Sequence, residues 1–189
     1  VGRQEIIQNN ELFESSGADL VARRSIIVAR RILAMAITPL LRVFLSHLVK
    51  EDEDFACAVK ARLETVLHGR APNLWMEDLT IKTAPAISIA AQENVKILLE
   101  HITHNLRMEN PEKLECVCLL LERGASRLFM PGPRQQLHEG DRLLFAGRGS
   151  ARNLLRWTLT DPNSLISFAT GRQHPRGAIG RWLAKNNTG

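Results

Sequence analysis

Three cysteines in a chain of 189 residues are too few for a disulfide framework. Cys116 and Cys118 lie two apart, so on a strand they point to one face and act as small apolar side chains. No group of further soft ligands accompanies them, which argues against a zinc site, and no metal is expected. Reduced thiols of this kind fit a cytoplasmic compartment. The chain also lacks a Gly-x-Ser-x-Gly elbow, a zincin helix and any serine with evident histidine and carboxylate partners. No catalytic residue is therefore assigned, and an enzyme is not expected. There are no internal repeats, no signal peptide and no lipidation motif. The sequence opens at Val1 and is expected to be a piece of something longer.

An uninterrupted apolar run is missing as well. Ser25 to Val49 is dense in apolar residues but contains Arg30, Arg31, Pro39 and Arg42. A charged side chain near the bilayer centre costs about 2.5–3.5 kcal/mol, so three of them argue against a span. The hydrophobic content of 44% and charged content of 24% are ordinary for a folded domain with a sizeable core. The formal charge of +5 comes from basic residues spread along the chain, which describes a solvated surface. Only the tail past Gly171 lacks acidic partners.

Two parts follow from periodicity. In the first, Gly17 to Ala22 resembles the end of a strand, and Ser25 can cap a long helix. Arg30, Ala34, Thr38, Arg42 and Ser46 form a narrow stripe at i, i+4 spacing, and almost everything else on that helix is apolar. Such a helix needs cover on more than one side. Pro39 removes a backbone bond and predicts a kink or break. Glu51 to Asp54 then opens a second helix, where acidic residues suit the positive end of the dipole. Its buried face is Phe55, Val59, Leu63, Val66 and Leu67, and Gly69 is the expected stop.

In the second part, Trp75, Leu79 and Ile81 alternate with Met76, Asp78, Thr80 and Lys82, which predicts a half-exposed strand. Ala84 to Gln92 reads as a short helix behind Pro85, and Val95 to Glu100 as a strand, with helix as the alternative. Glu115 to Glu122 is apolar on both faces and reads as a central strand. Pro131 to Gly147 is the most informative stretch: a proline-stiffened turn, a tight Glu139-Gly140-Asp141 turn, and a buried strand from Arg142 to Ala146. Gly140 supplies the positive φ, and Asp141 can hydrogen-bond its own backbone. Ser150 is the expected cap of the next helix, and Asp161-Pro162 opens another.

These phrases carry a resemblance. Gly17-Ala18-Asp19 before an arginine-bearing helix, Ala84-Pro85-Ala86 after a strand, and the Leu137 to Gly147 turn-strand together resemble RCK domains. Those domains are the cytoplasmic sensors of prokaryotic potassium channels and Trk-type uptake systems. The resemblance implies an α+β fold: a small mixed or antiparallel sheet lobe with flanking helices, preceded by a helical dimerisation arm left over from a truncated Rossmann-type half. Residues 1–72 would be the end of the nucleotide-binding half and the crossover helices, residues 73–170 the C-terminal α+β lobe, and residues 171–189 a basic tail. It further implies a regulatory, ligand-sensing or assembly role on the cytoplasmic side of the membrane, with a membrane pore as partner. The nucleotide site of such domains lies upstream of this chain, so no cofactor is expected within it.

The apolar girth of the first helix suggests a homodimer or higher assembly, with Ile32, Leu33, Ile37, Leu40, Leu41 and Phe44 as the candidate interface. The remaining tempting features have plainer readings. Gly147-Arg148-Gly149-Ser150-Ala151-Arg152 has the place of a dinucleotide fingerprint but carries Arg152 instead of the third glycine. Glu100, His101 and His104 share a helical face without a further ligand. His138 reads as a solvated loop histidine. The tail, with Arg172, His174, Arg176, Arg181, Trp182 and Lys185, supports the rival reading of a nucleic-acid-binding module; a small enzyme is the weaker rival.

Overall fold

The computed structural model describes residues 39–171. The Gly17 to Ala22 strand, the Ser25 cap, most of the first helix and the basic tail lie outside the described residues. The fold is α+β. In chain order the elements are α1 (Pro39–Lys50), α2 (Glu53–Leu67), β1 (Asn73–Asp78), α3 (Pro85–Gln92), α4 (Leu99–Ile102), β2 (Cys116–Arg123), β3 (Ser126–Phe129), β4 (Arg142–Gly147), α5 (Gly149–Thr160) and α6 (Pro162–Thr170).

The four strands form one antiparallel sheet in the order β1-β4-β2-β3. The strand that follows the Glu139-Gly140-Asp141 turn is thus internal, which explains its unbroken apolar run. Register assigns the faces. Trp75, Cys118, Leu121, Leu143 and Phe145 belong to one face and pack into the main core with residues of α3, α5 and α6. Trp75 and Phe145 are direct cross-strand partners and stack at 5.6 Å. Val117, Leu120, Leu144 and Ala146 belong to the other face and are also buried. Helix α2 packs on β2 and β4. Between Cys118 and Leu120 the register shifts, so Leu119 is the extra residue of a bulge, and its carbonyl accepts from Met130 N at 2.8 Å.

The chain divides into two units after residue 43. The sequence reading set a boundary after residue 72. Packing of α2 on β2 and β4 places that helix with the sheet. The acidic run does open α2, and Asp52 caps it by accepting from Phe55 N at 3.0 Å. The helix ends one residue earlier than the glycine implied: His68 itself takes the left-handed conformation at φ 50°, and Gly69 follows it.

Three local expectations are corrected. Val95 to Glu100 is not a sheet strand. Ile97 accepts from Leu137 N at 2.9 Å and Leu99 N donates to Gln135 O at 2.8 Å, so the segment pairs with the loop before the tight turn. That pairing amounts to one isolated bridge, Leu98 with Gln136, before α4 begins. Ser150 is not a cap: α5 starts at Gly149 behind Arg148, with no side-chain cap. Ile81 leaves the expected face because β1 ends at Asp78, and it is 59% exposed in the turn that follows. Asp161 does cap α6, accepting from Ser164 N at 3.4 Å and Ser164 Oγ at 2.7 Å, with Pro162 in the first turn.

Candidate functional site

A group of ion pairs gathers at one end of the sheet, around the tight turn. Gly140 has φ 86°, the left-handed conformation that its sequence position required. Asp141 is wholly buried, and its carboxylate accepts from His138 N at 2.8 Å, which closes the turn. It also receives a fork from Arg123, with Nε and Nη2 each at 2.7 Å. Arg123 Nη2 donates to Gln136 O at 2.8 Å as well. The turn is tied to the end of β1 by the backbone: Leu79 N donates to Asp141 O at 2.8 Å, and Gly140 N to Leu79 O at 2.7 Å. The closure by Asp141 was legible in the sequence. Arg123 was not, because nothing local to position 123 names a partner eighteen residues on.

One register step away, charges alternate across all four strands. Arg127 of β3 pairs with Glu122 of β2 at 2.9 Å, Glu122 with Arg142 of β4 at 2.9 Å, and Arg142 with Asp78 of β1 at 3.3 Å. These residues are direct cross-strand partners, so the ladder lies on one face, the face opposite Asp141's neighbour Arg123. Glu122 is buried while its arginine partners are partly exposed; cross-strand pairs of this kind contribute roughly 0.2–1 kcal/mol each and mainly fix register.

Glu77 is buried on the main core side and is met by Arg156 Nε at 2.8 Å, with Arg152 Nε at 3.7 Å. Burial pushes its carboxyl above its ordinary range, against the pull of the Arg156 hydrogen bond.

The sequence-selected residues resolve as follows. Of the candidate interface, Ile32, Leu33 and Ile37 lie outside the described residues. Leu40, Leu41 and Phe44 are buried, at 1%, 7% and 3% exposure. Phe44 meets Phe129 at 6.3 Å, and His47 stacks on Phe129 at 3.5 Å. Arg42 and Ser46 of the polar stripe are exposed. Position 39 begins α1 at the edge of the described residues, so the expected kink or break falls on residues outside them.

His101 Nδ1 accepts from Leu98 N at 3.2 Å, and His104 Nδ1 is 2.6 Å from Glu100 O. Both rings lie against Phe168, and burial lowers the pKa of His101. Each histidine thus has a structural partner. Among the described residues no group of three His, Cys, Asp or Glu is placed to hold a metal.

Cys116 and Cys118 are buried on the same face, as expected, and burial pushes the Cys116 thiol up to about 12. Gly147 has a packing role: a Cβ there would lie 2.5 Å from Cys116 Cβ and 2.6 Å from Glu115 O. Arg148 pairs with Glu115 at 3.1 Å. The glycine of the weak fingerprint is thus needed by strand approach.

Among the described residues no helix is long and apolar enough to cross a membrane. No protein-family model matches the chain, and no curated protein matches it.

Proposed function

We propose that this chain is part of a cytoplasmic regulatory domain of RCK type, a ligand-sensing or assembly element for a potassium channel or potassium uptake system. The observation that supports it most is the Leu137 to Gly147 segment. A glycine-aspartate turn there leads into an internal strand of a four-stranded lobe, and Arg123 holds the turn. The element order of residues 73–170, a strand and two helices followed by three strands and two helices, is consistent with the same reading.

In this reading the domain works on the cytoplasmic side of the membrane through a homodimer or higher assembly. A ligand with different affinity for two arrangements of paired lobes shifts their populations, and the pore follows. The burial of Leu40, Leu41 and Phe44 shifts the weight of the proposed contact to Ile32, Leu33 and Ile37.

Sedimentation velocity at micromolar concentration tests this. A dimer is expected, Leu33→Asp is expected to split it with the lobe's thermal midpoint intact, and Phe44→Asp is expected to lower that midpoint. A strict monomer at all concentrations would overturn the assembly.

A further inference from the structure

A cavity of about 160 Å³ opens between α2, α4 and the start of β2. Its floor is formed by the buried residues Cys116, Val117 and Cys118. Two cations line it: Arg62 from α2, half-buried, and Lys113 from the loop before β2, exposed.

Neither cation has a carboxylate partner among the described residues. Arg62 donates through Nη2 to Pro131 O at 3.3 Å, which leaves most of its five donors unused. Of the carboxylates near them in sequence, Glu64 pairs with Lys60 at 3.7 Å and Glu115 with Arg148 at 3.1 Å, while exposed Glu112 makes no ion pair with Lys113. This contrasts with Arg123, Arg127, Arg142, Arg148, Arg152 and Arg156, each of which has an acidic partner.

The remaining lining groups make the cavity receptive to negative charge. Both thiols are held protonated by burial, so the floor carries no anion of its own. Lys113 acts on Cys116 and Arg62 on Cys118, each opposing that rise, so the positive field of both cations reaches the floor. Thr65 and Thr103 donate to helix carbonyls, Thr65 to Ala61 O at 2.9 Å and Thr103 to Leu99 O at 3.2 Å. Guanidinium and ammonium are therefore the groups that offer donors. A guanidinium and an ammonium lining one cavity suit a tetrahedral oxyanion. Pockets for drug-sized ligands run to roughly 300–1,000 Å³, so a space of about 160 Å³ takes a compact group and not a whole nucleotide.

We propose that this cavity binds a phosphate group between Arg62 and Lys113, as the free anion or as the head of a small phosphomonoester. The inference goes beyond the regulatory reading and does not depend on it, so failure of either leaves the other standing.

Calorimetric titration of the full chain with inorganic phosphate, and separately with glycerol 3-phosphate, tests the site against sodium chloride of equal ionic strength. Saturable one-to-one binding is expected. It should weaken at least about tenfold in Lys113→Gln and again in Arg62→Gln, and stay unchanged in Arg70→Gln, an exposed cation of the same region outside the cavity. Tighter binding of glycerol 3-phosphate would identify a phosphorylated small molecule as the ligand, and tighter binding of phosphate the free anion. Lys113 is exposed, so its variant keeps the fold, and the thermal midpoint without phosphate verifies this for each protein. Binding that survives the double substitution, or no saturable binding by the unmodified chain, would overturn the site.

Discussion

Asp141 and Glu77 are both buried carboxylates at the sheet, yet their surroundings differ. Asp141 accepts three hydrogen bonds, two from the Arg123 fork and one from the backbone of its own turn. Glu77 accepts one, from Arg156, while Arg152 stops short at 3.7 Å and neighbouring Asp78 repels it. Burial therefore dominates at Glu77 and raises its pKa. Degree of burial is similar for the two groups, at 0% and 5% exposure, so the number and placement of donors decide which carboxylate is well satisfied.

The comparison can be broken in order of expected effect. Asp141→Ala should be the most damaging change. Loss of one partner of a buried pair costs about 3–5 kcal/mol, and the low end is expected because the Arg123 side chain is 37% exposed and can be rehydrated. The midpoint of urea unfolding measures this; a loss below about 1 kcal/mol would show that the turn does not rely on its carboxylate. Gly140→Ala should cost about 1–2 kcal/mol, since φ 86° strains any side chain there although space is open around it.

Glu77→Gln should cost less than either, and its effect should depend on pH. The folded pKa of Glu77 lies above its ordinary 4.5, so the native state binds the proton more tightly than the unfolded state. Its contribution is greatest below that ordinary value and is lost as pH rises through the folded pKa. The stability difference between the native protein and Glu77→Gln should therefore shrink from pH 4 towards neutrality. A difference that grows over that range would refute the assignment. Arg127→Ala should have the smallest effect, below about 1 kcal/mol, because its side chain is 49% exposed at the end of the ladder.

The expectations that held rest on residues whose partners are close in sequence. Asp52 finds Phe55 N, Asp161 finds Ser164, and Asp141 finds His138 N, each three positions away. Strand β2 was legible because eight residues bounded by turn signals have burial on both faces. Val95 to Glu100 was misread because its apolar residues do face a core, but its backbone bonds go to a loop and then to a helical turn. Ser150 has the residue type of a cap without its position. The ion pairs were hidden for the same reason: Glu77 and Arg156 are 79 residues apart, and Asp78 and Arg142 are 64 apart. The pocket between Arg62 and Lys113 likewise joins α2 to a loop that no local pattern connects with it.

The sequence by itself determined where chain direction changes, which strands could be buried on both faces, and that the two thiols share one face. These follow from φ preferences, capping chemistry and a period of two, all of which act over a few residues. Only the tertiary structure decided the strand order β1-β4-β2-β3, the donors that reach each buried carboxylate, and which cations were left without acidic partners beside a cavity. Those outcomes depend on which distant segments share space once the core has closed, and charge pairing is set by that geometry after burial has chosen it.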